Sequence, residues 1–548
     1  MNRTHHPAWV TIIAVGWVLS VSLVTGVAPA AEPSPSALKL HLRSRVETSK
    51  GSGRYHTLTH VETWDARHTA VIICDVWDLH HCLNAVRRIK EFAPRLDRFV
   101  AEARQRGATI IHEPSECMDA YRNHPARLHA LAIPRAHDLP KDIGTWCSRI
   151  PAEERGRYPI DQTDGGEDDD LTEHAAWAET LRRMGRNPKA PWKKESDLLT
   201  IAPGDFISDK GDEIWSILQS RGLDHVVLAG VHANMCVLGR PFGLRQMAKN
   251  GKKVVLVRDL TDTMYNPKSW PYVSHFTGTD LIVEHIEKFV CPTITSDQLL
   301  GGKPFRFMHD TRPNVAIVMA EDEYKTNETL PAFAARYLGK DFRVSLVFDS
   351  ATDHDDLPGL EVLNDADVLL LSVRRRLLRP EQMAIIRRFV QAGKPVIGIR
   401  TACHAFGLRA GPPPKGHVAW TTLDREVFGG NYHNHYGNTG PKSPPTRVRV
   451  APAAEHNPLL AGVRRDEFAV RGSLYRMSPV EPGAKLLMTG HVGTNPPEPV
   501  TWTFTRRDGG RSFYTSLGHP DDFTLPAVQH LLRNAVYWAA SLPMPQNR

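Results

Sequence analysis

Residues 225–262, HVVLAGVHANMCVLGRPFGLRQMAKNGKKVVLVRDLTD, constrain the fold more than any other part of this chain. An apolar run at 226–231 ends in small residues, and Cys236 follows after a short turn. A helical pattern then runs to Asn250, Gly251 stops it, and a second apolar run at 254–257 closes at Asp259. Strand, helix, glycine stop and strand make a βαβ unit with parallel strands. Cys236 is thereby placed where the chain leaves a strand and enters a helix. Free backbone N–H groups and the helix dipole favour a thiolate there. The plainer role for such a cysteine is that of a small buried hydrophobe.

The same alternation recurs on both sides. TAVIICDVWD predicts a buried strand over 69–74 with Asp75 at its end. A helix over about 84–106, a stop at Gly107 and the strand ATIIHEP (108–114) follow. Ligands of doubly wound sheets bind at the carboxyl ends of strands, and Asp75, His112 and Cys236 all stand at such ends. Helices are expected at 213–221 and over HFTGTDLIVEHIEKFV. A second pattern starts at Pro313, with strands at 315–320, 343–349, 367–372 and 394–400 and helices at 327–338 and over PEQMAIIRRFVQAG. The last third is β-rich (TRVRVA, AKLLMTG, PVTWTF, GRSFYTSLGH) and closes with a helix. The fold class is therefore α/β: two doubly wound, Rossmann-like domains with mainly parallel sheets, the second with a β-rich C-terminal part. Expected boundaries are 1–31 for a signal peptide, 32–65 for a leader with a marginal hairpin around residues 51–53, and 66–296 for the first domain. A linker at 297–312, a second domain at 313–542 and a tail at 543–548 complete the chain.

The N-terminus carries Arg3, an apolar run at 9–27 and small residues at Ala28, Ala30 and Ala31. This is the pattern of a secretory signal, and it implies an exported protein, with an uncleaved anchor as the alternative. No other segment has the length and apolarity of a membrane span. Seven cysteines in 548 residues do not make a disulfide scaffold, and the odd number leaves at least one thiol unpaired or paired between chains. The 68 cations are interspersed with 61 anions. There is no basic block with interleaved aromatics, which argues against nucleic acid as a partner. A small molecule is the expected partner, and a homo-oligomer is compatible with the sequence.

Asp75 and Cys236 can meet over the sheet's carboxyl edge. The carboxylate can take the thiol proton, the thiolate can attack a polarised carbon, and backbone N–H groups near Cys236 can hold the oxyanion. VIICDVWD together with the 225–262 stretch resembles the isochorismatase-like cysteine hydrolases, which include nicotinamidases, over about residues 66–295. The resemblance implies Asp75 as catalytic acid–base, Cys236 as nucleophile and a cis peptide at Val231–His232. It also implies a lysine near residues 203–205, where this chain has IAPGDFISDK with an acid, Asp205. Lys210, or Arg240 in the turn after Cys236, is left to supply the cation. His112 and His232 are expected to line the pocket. CDVWDLHHC offers Asp78, His80, His81 and Cys82, but neighbouring side chains point in different directions, and no metal site is expected. The acidic run PIDQTDGGEDDD (159–170) lacks EF-hand spacing and is expected to be a solvated loop.

In the second domain the strand KPVIGIR leads into TACHAF. The turn after such a strand holds the nucleophile in glutamine-amidotransferase-like folds. Here that position is Arg400, which cannot act as one. Cys403 and His404 follow, within the next helix, either as a Cys-His nucleophile pair or, more plainly, as a packed helix start. DADVLLLS, FVQAGKPVIGIRTACHAF, FGGNYHNH, SLYRMSP and PVTWTFTRRDGGRSFYTSLGHPDDF together resemble the ThuA-like (trehalose utilisation) family over about 313–542. That family usually carries His where Arg400 stands. The resemblance implies a polar cluster of His433, His435, Tyr475 and His519 beside the loop 406–445, suited to a sugar-derived ligand. Three readings follow: an exported cysteine hydrolase of an amide-type C–N bond carrying a carbohydrate-related domain; a binding protein with degraded active sites; or catalysis in the ThuA-like domain. None of them calls for a cofactor.

Overall fold

The computed structural model describes Met1 and residues 36–545. Apart from Met1, the expected signal peptide lies outside the described residues, as do the last three residues of the tail. Among the described residues, no helix is long and apolar enough to cross a membrane.

The first sheet holds β1 (Ala37–Glu47), β2 (Tyr55–Asp65), β3 (Thr69–Cys74), β4 (Thr109–Glu113), β5 (Phe206–Ile207), β6 (His225–Val231), β7 (Lys253–Asp262) and β8 (Thr293–Ile294). Their spatial order is β2-β1-β8-β7-β6-β3-β4-β5. From β8 to β5 every pair is parallel. All six residues of β3 are buried, as expected of a central parallel strand covered on both faces. One face packs Ile72 and Leu228 against Trp215 and Ile217. The other packs Val71, Ile73 and Val227 against Phe92, Leu96 and Phe99 of the Leu83–Gln105 helix.

The supposed leader belongs to this sheet. β1 and β2 pair over eleven residues, and β1 joins β8 at Arg43–Thr293. The alternation in LKLHL places Leu38, Leu40 and Leu42 in the core. Burial of each contributes about 2 kcal/mol, so the hairpin is an integral antiparallel edge and not a marginal one.

The second sheet uses β9 (Asn314–Ala320), β10 (Arg343–Phe348), β11 (Val368–Val373) and β12 (Val396–Ile399), parallel to one another. β13 (Asn434–His435) stands apart. β14 (Thr446–Val450) and β15 (Phe468–Val470) form the far edge, and β16 (Tyr475–Arg476) pairs with β13. β17 (Lys485–His491), β18 (Glu498–Thr505) and β19 (Arg511–Thr515) complete the order β10-β9-β11-β12-β19-β18-β17-β14-β15. β19 is parallel to β12, and everything beyond it is antiparallel, which is the β-rich part expected from the sequence. The sheets meet through Arg343, whose Nη2 lies 2.6 Å from Asp280 Oδ1, and through the Ser274 N–H, which donates to Gly339 O at 3.2 Å.

Two local expectations change. The helix after Cys236 is two short pieces, Cys236–Gly239 and Leu244–Lys249. Arg240 precedes Pro241 and is extended (φ −57°, ψ 157°), because the proline ring excludes the helical region for its predecessor. The acidic run is not simply solvated. Asp169 accepts from the Leu83 and Asn84 N–H groups at 2.8 and 2.7 Å, capping a helix whose own N-cap residue, Cys82, supplies no side-chain bond. Asp168 pairs with Arg88 at 2.8 Å. All seven cysteines are free and buried.

Candidate active site

Strands β3 and β6 are adjacent and in register at Cys74–Gly230, so Asp75 and the turn after Val231 leave the sheet side by side. Gly230 has φ +108°, and a Cβ there would lie 2.1 Å from the Cys74 carbonyl oxygen; only glycine permits this approach. Asp75 itself has φ +49°. The Val231–His232 peptide is cis.

Asp75 is fully buried. Its Oδ1 accepts from the Ser115 N–H at 2.8 Å and its Oδ2 from Arg240 Nε at 3.3 Å. The Cys236 thiol and the same carboxylate interact electrostatically. Burial pushes the thiol well above its ordinary range, the Asp75 charge adds to this, and Arg240 opposes both. Burial also raises Asp75, against the pull of Arg240 and Cys236. The thiolate expected from the helix start is therefore not the resting state. A four-residue helix contributes little dipole, and desolvation beside a carboxylate favours S–H. In the turn, the Met235 and Val237 N–H groups both donate to His232 O. The Cys236 N–H between them has no backbone acceptor among the described residues, so it is available to an oxyanion.

Glu113 is a further member of this site, beyond the residues expected to form it. It ends β4, in register with Cys74, and is fully buried. Ser115 ties the two acids together, its N–H to Asp75 and its Oγ to Glu113 Oε1 at 2.7 Å. Burial, and then the Asp75 charge, push the Glu113 carboxyl well above the usual range. Ligand atoms of Cys74, Asp75 and Glu113 lie within 4.8 Å of one another. The available signal was the position of Glu113 at the carboxyl end of the strand ATIIHEP.

The other predicted residues divide. Arg240 is in the site; beyond Asp75 it reaches Glu116 at 3.5 Å and lies 5.7 Å from the Trp146 ring centre. Lys210 pairs with Asp209 at 3.2 Å and its side chain is 59% exposed. His112 lines no pocket. The two-residue strand period puts it on the face opposite Glu113. There Nδ1 meets Glu195 at 2.8 Å and Nε2 meets Asp205 at 3.2 Å, with no exposure. Burial lowers its affinity for a proton, but Glu195 and Asp205 outweigh this and raise it to about 9. Asp205, at the expected lysine position, thus serves a buried ion pair that also includes Arg104 at 2.7 Å. His232 is buried against His80, with ring centres 4.9 Å apart, and burial lowers it to about 3. A cavity of about 610 Å³ adjoins the turn through Asn234 and Met235 and is lined further by Trp146, Glu153, Tyr158 and Arg245. Asp75 and Cys236 do not line it.

In the second sheet Arg400 follows β12 with φ +46° and is 1% exposed. Its guanidinium stacks on Tyr324 at 4.1 Å and Tyr475 at 4.8 Å and donates to Ser516 O at 2.7 Å and Ser473 O at 3.3 Å. Cys403 Sγ lies 3.1 Å from His404 Nδ1, in a 3-10 turn and not in the expected helix. Burial pushes the Cys403 thiol well up, and burial followed by neighbouring arginines lowers His404 to about 3, so both stay neutral. The His404 ring stacks on Tyr432 at 4.7 Å, His435 lies 6.4 Å from Tyr475, and His519 lies 6.3 Å from Tyr324. Tyr324 and Tyr432 extend the predicted cluster. His433 does not join it; it is exposed, and its Nε2 contacts Ser478 O at 3.2 Å.

Residues 314–539 match the ThuA family, described as trehalose utilisation. The ThuA match contains Arg400 and its aromatic surround. Among solved structures the chain is similar to a ThuA-like protein from Parabacteroides merdae (14% identity, 43% of this chain and 93% of that one, TM-score 0.33). It is also similar to a cysteine hydrolase from Pseudomonas syringae pv. phaseolicola (14%, 43% and 92%, TM-score 0.27) and an isochorismatase family protein from Burkholderia thailandensis (14%, 42% and 93%, TM-score 0.24). No curated protein matches the chain.

Proposed function

We propose that the first sheet carries a cysteine hydrolase acting on an amide-type C–N bond of a small molecule, and that the ThuA region binds a carbohydrate-related group. The observation that carries the first part is the buried Asp75 carboxylate, fixed by the Ser115 N–H and Arg240 and interacting with the Cys236 thiol. Asp75 takes the thiol proton as sulfur attacks the carbonyl carbon, and the Cys236 N–H receives the oxyanion. The C–N bond breaks, the amine leaves with the proton from Asp75, and a thioester remains. Water, deprotonated by Asp75, attacks the thioester; the acid departs and the proton returns to sulfur. Arg240 offsets the negative charge that this cycle holds in a dry site. The histidine and tyrosine lining around Arg400, with the trehalose-utilisation match, supports the second part.

A second reading, binding without turnover, is favoured by one observation: the position where the family carries a lysine holds Asp205, which is engaged by His112 and Arg104. Iodoacetamide labelling across pH, read by peptide mass, separates the two. With Asp75 acting as base, Cys236 reacts faster than the other six cysteines near neutral pH, and Asp75→Asn slows it at least tenfold. Equal, slow labelling of all seven thiols, unaffected by Asp75→Asn, would sink the hydrolase.

A further inference from the structure

A groove runs between the two sheets and has two compartments. The larger, about 410 Å³, is walled by Trp270, Val273 and Leu281 from the first half and by Ala335, Phe342 and Leu346 from the second. The smaller, about 150 Å³, is polar and contains Arg258. Arg43, Asp280, Arg312 and Arg343 border both, so the two compartments adjoin. Neither is lined by Asp75, Cys236 or the Tyr324–Tyr475 cluster. The size, the apolar walls and the few convergent polar groups are those of a small-molecule site at an interface.

The charges in the groove choose the ligand. Arg43 pairs with Glu287 at 2.7 Å, Arg45 with Glu284 at 3.2 Å, Arg312 with Asp310 at 2.7 Å and Arg343 with Asp280 at 2.6 Å. Arg258 has no carboxylate within ion-pairing distance among the described residues; its Nη1 donates to Thr293 Oγ1 at 3.2 Å. The neighbouring Asp259 is occupied elsewhere and accepts from the Ser296 N–H, the Ser296 hydroxyl and the Phe305 N–H. Burial and the like charges of Arg43 and Arg343 lower Arg258 to about 9, with Glu287 and Asp259 opposing. Arg258 is half-buried and has no direct ion-pair partner among the described residues, so an incoming anion would gain a charge-assisted hydrogen bond there.

We propose that this groove binds a small organic carboxylate with an apolar body, its head on Arg258 and its body against Leu281, Phe342 and Leu346. Because the walls come from both sheets, the bound acid fastens them together. The inference is independent of the hydrolase reading, since no residue of that site takes part.

Calorimetric titration of the full chain with octanoate tests it. Saturable 1:1 binding is expected, with 1-octanol and inorganic phosphate each at least tenfold weaker. Arg258→Gln should weaken octanoate at least tenfold and leave octanol unchanged. Ala335 is exposed at the groove, so Ala335→Trp fills the larger compartment without disturbing the core and should abolish binding of both. Absence of saturable octanoate binding overturns the proposal. So does octanol or phosphate binding as tightly as octanoate, or undiminished binding by an Ala335→Trp protein with an unchanged melting temperature. If that variant melts early, the ratio of octanoate to octanol affinity in Arg258→Gln decides alone.

Discussion

Asp75 and Arg400 occupy equivalent places in the two sheets. Each directly follows a buried parallel strand, each is buried, and each is a non-glycine residue with positive φ, +49° and +46°. Such a backbone costs on the order of 1–3 kcal/mol and persists only where the surroundings enforce it. The device is the same, but its cargo differs. Asp75 is a carboxylate beside a thiol, the proton acceptor of the proposed reaction. Arg400 cannot accept a proton and is enclosed by tyrosine rings and carbonyl oxygens. The cysteine near it, Cys403, bonds to the Arg400 carbonyl at 3.3 Å. The same turn thus places a buried carboxylate beside a thiol in one sheet and anchors a cluster of aromatic rings in the other.

Exchanging the two roles is the strongest way to break this comparison. On an amide that the wild-type protein hydrolyses, Asp75→Asn and Cys236→Ser should each lower kcat/KM at least about 10³-fold, while Arg400→Met changes it less than twofold in a release assay for the amine. Comparable losses at both turns would end the distinction. Next in size is Arg240→Met, expected to cost about 10- to 100-fold, with Arg240→Lys restoring part of it. The pH profile sharpens the same point. Asp75 must be ionised and its pKa is raised, so kcat/KM should climb with pH through a value above the ordinary carboxylate range. It should fall only above pH 9, since the Cys236 thiol is raised too. A smaller effect concerns stability. His112 is raised to about 9 in the folded protein. Its contribution, about 3 kcal/mol, is complete below pH 6.5 and lost as pH rises through 9. Urea midpoints at pH 6.5 and 9.5 should show the drop, and Glu195→Gln should shrink it. The smallest expectation is that Lys210→Ala and Cys403→Ser leave amide turnover within twofold.

Much of this was legible because apolar runs bounded by glycine and acid residues report parallel strands without tertiary information. The strands β3, β6, β9 and β11, and hence the edge that carries Asp75 and Cys236, followed from that pattern. What stayed hidden was decided by partners distant in sequence. The LKLHL alternation could be seen, but not that β8, some 250 residues later, would receive it. Asp169 caps a helix 86 residues away. His112 and Glu113 are adjacent, and the strand period alone sends one to a buried ion pair and the other to the thiol. The sequence left Lys210 and Arg240 as alternative cations, and only the packing of the turn after Cys236 decides between them: Arg240 reaches the Asp75 carboxylate, while Lys210 pairs with Asp209.

The seven buried, unpaired cysteines have a consequence for handling and turnover. In the native state none offers its sulfur to an oxidant freely. Six of them lie in the first half and only Cys403 in the second, so it is opening of the first sheet that presents several thiols at once, and random cross-linking then competes with return to the native state. In oxidising solution the lifetime of this protein is therefore set by how rarely it opens, a rate and not an equilibrium. A reductant should lengthen its survival on heating far more than it changes its melting temperature.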